Sequence, residues 1–175
     1  RDRRGTRGLG ALVYNAGISP KDEKGGRLSA TETPYETFAS VQMVNMIAPL
    51  ILCQNLLAPL KKASGAVVNV TSIAGAQVHP FAGAAYAVSK AGLSALTREL
   101  AFELAESGVR VNAISPGEIA TSILSPGTDQ LVQQQVPMKR LGSPEEVAEV
   151  VAFLCSTKSS YVIGAEIPIN GGQHL

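Results

Sequence analysis

Tyr86 and Lys90 stand four residues apart in Tyr86-Ala87-Val88-Ser89-Lys90, and Ser72 precedes Tyr86 by fourteen residues. On a helix, positions i and i+4 share a face, so a phenol and an ammonium at this spacing converge on one bound molecule. The chemistry this suits is proton transfer at a carbonyl or carbinol oxygen. A phenol with a pKa near 10 is a poor base at neutral pH. A unit positive charge about 4 Å away contributes at most about 4 kcal/mol at an effective dielectric near 20, or roughly three pKa units. Lys90 is therefore expected to make Tyr86 usable as an acid-base group, and the Ser72 hydroxyl to hydrogen-bond the oxygen on which the proton moves.

Such residues need rigid elements to hold them. Short apolar runs at residues 9–14, 66–71, 109–114 and 166–169 read as buried strands. Residues 38–60 and 86–106 read as helices, the second with Val88, Leu93, Leu96, Leu100 and Leu104 on its apolar face and Gly108 as its stop. A third helix starts at Ser143-Pro144-Glu145-Glu146, where Ser143 caps, Pro144 fits the first turn and Glu146 completes a capping box; Val147, Val150, Val151 and Leu154 form its buried stripe. Strands and helices in alternation, with crossovers of this length, predict a doubly wound α/β sheet of parallel strands in a single domain. Ser72 then falls at the carboxyl edge of the sheet, where such folds bind ligands. Residues 18–34, with Gly, Pro and mixed charges, read as one long surface loop.

Composition narrows the field. The chain has 175 residues, 45% of them hydrophobic, enough for one packed domain. With 15 Lys and Arg against 14 Asp and Glu, the formal charge of +1 gives no reason to expect nucleic acid or an anionic membrane as partner. Arg1, Arg3, Arg4 and Arg7 read as a solvated terminus. Cys53 and Cys155, far apart in a chain without a secretory apolar region, fit reduced thiols packed in a cytoplasmic protein. The apolar stretch 43–60 is interrupted by Asn45, Gln54 and Asn55, so no membrane span is expected. Neither His79 nor His174 has a partner at metal-ligand spacing, so no metal is expected.

Asn15-Ala16-Gly17, Asn45, Ser72, Tyr86-x-x-x-Lys90 and Pro116-Gly117-Glu118-Ile119-Ala120-Thr121 stand in an order and spacing that resemble the short-chain dehydrogenase/reductase family. The resemblance runs from about residue 12 to 172. Residues 140–147 and the closing Asn170-Gly171-Gly172 are similar to its single-domain branch, which includes 3-oxoacyl-carrier-protein reductases and sugar-alcohol dehydrogenases. It implies a Rossmann-like NAD(P)-binding domain that transfers hydride between nicotinamide and a secondary alcohol or ketone, a small-molecule substrate. It implies Tyr86 as acid-base group, Lys90 beside it, Ser72 on the substrate oxygen, and Asn45 organising a water and a backbone carbonyl that lead to Lys90. Asn15, Ala16 and Gly17 then border the adenosine ribose. Pro116, Gly117 and Ile119 meet the nicotinamide amide and Thr121 its phosphate side, with Tyr86 and Lys90 also at the cofactor.

By the same resemblance His79, Phe81, Glu118 and Ile123 line the substrate pocket, residues 120–136 form a mobile flap over it, and the helices 38–60 and 86–106 meet their mates in a homodimer or homotetramer. Tyr14 and Asn170 depart from the family's frequent Asn and Asp, and Tyr14 bears on strand packing. The family opens with a strand, a Gly-rich turn and a helix; Gly5, Gly8 and Gly10 precede a strand rather than a helix and do not match that opening. The chain is thus expected to begin within the domain, as its carboxyl-terminal portion, and NAD versus NADP is not readable. A catalytically silent fragment or oligomeric scaffold of the same fold is the competing expectation. An extended-branch epimerase or dehydratase is disfavoured because the chain closes three residues after Gly172.

Overall fold

The computed structural model describes residues 8–122 and 124–175. Four parallel strands, β1 (Ala11–Tyr14), β2 (Ala66–Val70), β3 (Arg110–Pro116) and β4 (Glu166–Ile169), lie side by side in that order. Ala11 pairs with Ala66, Ala66 with Arg110, and Ala113 with Glu166. Parallel pairing needs a crossover at each step, and helices provide it. Between β1 and β2 run α1 (Tyr35–Gln42), a π-helical turn (Met43–Ile47), α2 (Ala48–Asn55) and α3 (Leu57–Ala63). Between β2 and β3 runs α4 (Ala84–Leu104), and between β3 and β4 run α5 (Thr128–Gln135) and α6 (Pro144–Cys155).

Period-two alternation divides the strand residues between two apolar layers. Val67 and Val111 pack with Cys53, Leu60, Leu100, Ala101 and Leu104 on one face of the sheet. Val68 and Ile114 pack with Leu154 and the flanking Val147, Val150 and Val151 on the other. This is the doubly wound arrangement the alternation predicts. Polar anchors fix the helices along their axes: Asn69 Nδ2 donates to Thr97 Oγ1 at 3.0 Å, pinning α4 to β2. The Arg110 guanidinium donates to the carbonyls of Leu154, Ser156 and Ser159, placing a cation at the carboxyl end of α6. At the other end of α6, Ser143 and Glu146 form the expected capping box.

Several boundaries differ from the sequence reading. The strand read at 9–14 begins at Ala11, because the Leu9 N–H donates to the Pro59 carbonyl instead of entering the ladder. The helix read as 38–60 starts at Tyr35 and is broken twice. Pro49 and Pro59 fall in the first turns of α2 and α3, where a missing N–H is tolerated. Val88, read as part of the apolar face of α4, is half exposed, whereas Ser89 and Thr97 are buried. The stretch 120–136, read as a flap, contains α5, whose Leu131 and Val132 are buried; the run of Gln residues hid a helix that docks by one face only. The loop at 18–34 is as expected, with a single bridge between Lys21 and Arg27. Tyr35–Asn55 has the length and mean hydropathy, 1.3, of a membrane span. Its buried residues, Val41, Asn45, Pro49 and Cys53, recur every four positions, the pattern of a helix docked on a protein core by one face.

The π-helical turn explains Tyr14. Pro49 has no N–H to send back to the Val44 carbonyl in π register or to the Asn45 carbonyl in α register. The Tyr14 hydroxyl fills the first gap, donating to the Val44 oxygen at 2.5 Å. A buried carbonyl left without a donor costs about 1–3 kcal/mol. Tyr14→Phe is therefore expected to lower the unfolding free energy by that amount in urea denaturation, against about 2–5 kcal/mol for Leu93→Ala in the fully buried core. An unchanged midpoint for Tyr14→Phe would mean that the Val44 carbonyl has another donor.

Candidate active site

The carboxyl ends of β1, β2 and β3 open on one cavity of about 550 Å³. Ser72, Tyr86 and Lys90 line it together, although they come from different elements. Ser72 follows β2 and caps a short 3₁₀ turn, Ile73–Gly75, its Oγ accepting from the Ala74 N–H at 3.2 Å. Tyr86 and Lys90 sit in the first two turns of α4. The turn and the helix touch at Gly75, where an added Cβ would fall 2.9 Å from the Ala91 nitrogen. Only a bare backbone lets Ser72 approach α4 this closely.

The Ser72 side chain lies near the Tyr86 phenol and acts to lower its pKa. Lys90 Nζ stands over the Tyr86 ring, 5.5 Å from its centroid, and donates to the Val70 carbonyl at 2.7 Å. Lys90 is 3% exposed, and burial lowers its pKa from 10.5 to about 8. The Tyr86 pKa is raised, first by burial and further by the Glu118 carboxylate, while the neighbouring Ser72 side chain opposes the rise. The direction is opposite to the sequence expectation for Lys90. The ammonium bonds a backbone carbonyl and faces the ring, and burial penalises the phenolate more than a charge in that position relieves it.

Asn45 lies at the centre of the π-helical turn, fully buried, and does not itself line the cavity. Its Oδ1 accepts from the Ile18 N–H at 2.9 Å, and its Nδ2 donates to the Ile18 carbonyl at 2.9 Å and to Ser89 Oγ at 3.0 Å. Ser89 Oγ in turn donates to the Tyr86 carbonyl at 2.7 Å. Asn45 thus ties the loop after β1 to the turn of α4 that carries Tyr86 and Lys90. The sequence reading missed Ser89. Its only signal was a small hydroxyl residue between two reactive positions of a helix, which is equally common on solvent faces.

Of the other expected site residues, Asn15, Gly17, Pro116, Gly117, Ile119 and Thr121 line the same cavity. Ala16 follows β1 beside them but does not line it, and Ile123 lies outside the described residues. An added Cβ on Gly17 would stand 3.4 Å from both Asn45 Oδ1 and Lys90 Nζ, so the bare backbone there keeps the approach to those atoms clear. The segment after β3 is held by exchange with Gly142: the Ala120 N–H donates to the Gly142 carbonyl and the Gly142 N–H to the Glu118 carbonyl, each at 2.9 Å. His79, Phe81 and Glu118 also line the cavity, joined by Lys21, which the sequence reading left in the surface loop. His79 Nε2 and Glu118 Oε1 are 2.6 Å apart. Lys21 Nζ donates to the Phe81 carbonyl.

A family described as enoyl-(acyl carrier protein) reductase matches residues 3–174. Protein FixR of Bradyrhizobium diazoefficiens is 56% identical over 167 residues, covering 95% of this chain and 60% of FixR. An oxidoreductase of Brucella ovis, described as a short chain dehydrogenase/reductase, superposes with a TM-score of 0.78 at 53% identity, over 93% of this chain and 69% of that one. A 3-oxoacyl-[acyl-carrier protein] reductase of Brucella melitensis with bound NAD superposes with a TM-score of 0.88 at 36% identity, over 94% of this chain and 62% of that one. The chain spans about three fifths of the length of its relative FixR. With a parallel sheet, helices on both faces and a match along nearly its whole length, the chain belongs to the short-chain dehydrogenase/reductase family.

Proposed function

We propose that this chain carries the acid-base half of an NAD(P)-dependent oxidoreductase acting on a secondary alcohol or ketone of small size. The observation that carries the reading is the Tyr86 phenol, with Ser72 beside it and the Lys90 ammonium over its ring, at the wall of the cavity. NAD or NADP, when bound, supplies or accepts the hydride. The residues fit such a group. Gly17 leaves backbone bare beside Lys90, and Asn15, Pro116, Gly117, Ile119 and Thr121 border one cavity with Tyr86. Asn15, Ala16 and Gly17 would hold the adenosine side, and Pro116, Gly117, Ile119, Thr121 and Lys90 the nicotinamide side.

In the reductive direction the Tyr86 and Ser72 hydroxyls take the ketone oxygen, and Tyr86 gives it the proton that completes the alcohol; solvent then restores the proton to Tyr86. In the oxidative direction Tyr86 removes that proton. The Tyr86 phenol, its pKa raised, holds its proton until the ketone oxygen gains negative charge and takes it. Lys90, with a pKa near 8, is still largely charged at pH 7 and favours the developing negative charge on oxygen. Asn45, through Ser89, sets the turn that presents both groups. The chain is a portion of one NAD(P)-binding domain in this reading, cytoplasmic, and assembled as a homodimer or homotetramer.

Tyr86→Phe is expected to lower turnover by about 10²-fold or more while leaving NADH or NADPH binding by fluorescence titration unchanged. A variant rate within tenfold of the parent would remove Tyr86 from the mechanism.

The buried ammonium has a signature in stability. Folded Lys90 releases its proton near pH 8 and the unfolded residue near 10.5, so between these values the unfolded state holds more protons. Unfolding free energy should therefore rise with pH across that window, by up to about 3 kcal/mol, and show no such gain below pH 8. The gain should vanish in Lys90→Met, measured as urea midpoints of parent and variant at pH 7, 8.5 and 10. Parallel pH curves for the two proteins would show that Lys90 titrates as an ordinary lysine.

A further inference from the structure

The wall of the cavity formed by His79, Glu118 and Lys21 carries more chemistry than a lining needs. Glu118 is 8% exposed, and its Oε1 lies 2.6 Å from His79 Nε2. The other imidazole nitrogen, Nδ1, accepts the Phe81 backbone N–H at 3.2 Å. A nitrogen that accepts an N–H cannot carry a proton of its own, so the imidazole proton is on Nε2 and the ring is neutral. His79 therefore donates to the carboxylate, and the negative charge stays on Glu118. Lys21 donates to the Phe81 carbonyl and feels the Glu118 charge, but among the described residues it makes no hydrogen bond or ion pair with that carboxylate. Glu118 has a second oxygen, for which the described residues supply no hydrogen-bond donor, and the residue lines the cavity with Tyr86 and Ser72 as well as a smaller one beside Gly142.

An ionised carboxylate accepts hydrogen bonds and gives none. A substrate carbonyl, carboxylate or phosphate placed against it would meet a second acceptor, and an apolar group would leave a buried charge without a partner. A second cation would sit in the field of Lys21. The remaining complement is a neutral O–H. Resting on the reading that Tyr86 and Ser72 take the reacting oxygen, we propose that Glu118, oriented by His79, selects substrates with a second hydroxyl near the reacting carbon. The substrate class is then a diol in the oxidative direction and a hydroxyketone in the reductive one, rather than a simple secondary alcohol or a 3-oxoacyl thioester.

The test reads binding apart from turnover. Cyclohexane-1,2-diol, cyclohexane-1,3-diol, cyclohexanol and 2-aminocyclohexanol are titrated calorimetrically into the full chain carrying Tyr86→Phe in the presence of NADH, with and without Glu118→Gln. At least one diol is expected to bind at least about tenfold more tightly than cyclohexanol. In Glu118→Gln the amide oxygen is held by the His79 donor and the amide NH₂ faces the cavity, so the advantage should fall below about threefold. Equal binding of diols and cyclohexanol, or an advantage that survives Glu118→Gln, overturns the proposal, and so does tighter binding of the amino alcohol. If Glu118→Gln does not fold, the comparison of diols with cyclohexanol decides alone. Equal binding together with a turnover lost in Tyr86→Phe would sink the selection by Glu118 and leave hydride transfer standing. Normal turnover in Tyr86→Phe would sink hydride transfer through Tyr86 whatever the binding shows.

Discussion

Lys90 is a primary ammonium with almost none of its surface in water, held by one backbone carbonyl, that of Val70 at 2.7 Å. Burying a charge is costly unless its donors are satisfied, and the cost here appears as a pKa near 8. Much of the surrounding structure follows from meeting that cost. Val70 is the last residue of β2, so the ammonium marks where the strand ends and the chain turns to Ser72. The helix that carries Lys90 must lie at one height on the sheet, and the buried Asn69–Thr97 hydrogen bond holds it there.

The second support comes from the first crossover. A helix interrupted by a π turn is an expensive way to join two strands unless the interruption places something. What it places is Asn45, whose amide reaches the loop after β1 on one side and Ser89 on the other. Proline at position 49, just after this turn, withholds an N–H from its carbonyls, and Tyr14 supplies a donor from β1. Tyr14, which stands where the family frequently has Asn, thus braces the crossover through a hydroxyl that bonds a carbonyl of the helix directly.

Two walls of opposite character face the cavity. On the Tyr86 side the groups that can give a proton or carry positive charge are gathered: phenol, serine hydroxyl, ammonium. Burial raises the phenol pKa, and the Glu118 carboxylate, braced by a neutral imidazole, adds to the rise. Placing an acceptor in the same cavity as a donor set orients an unsymmetrical substrate, since one end must present an oxygen acceptor and the other a hydrogen-bond donor.

The amino-acid sequence alone determined the fold class, the pairing of Tyr86 with Lys90, the position of Ser72 at a strand end and the capping box at Ser143. These features are local, written in residue periodicity and spacing, and they need no distant partner to be read. Tertiary structure decided what depends on long-range contact. The break in the first crossover, the burial of Ser89 and the exposure of Val88 follow from which face of α4 meets the π turn, and hydropathy does not encode it. The same holds for α5, whose polar sequence conceals the three residues by which it docks, Thr128, Leu131 and Val132. The direction of the Tyr86 pKa was also beyond the sequence. The helical spacing brings Lys90 near, but burial and a carboxylate from the segment after β3 outweigh it, and both arise only when elements far apart in the chain enclose one cavity.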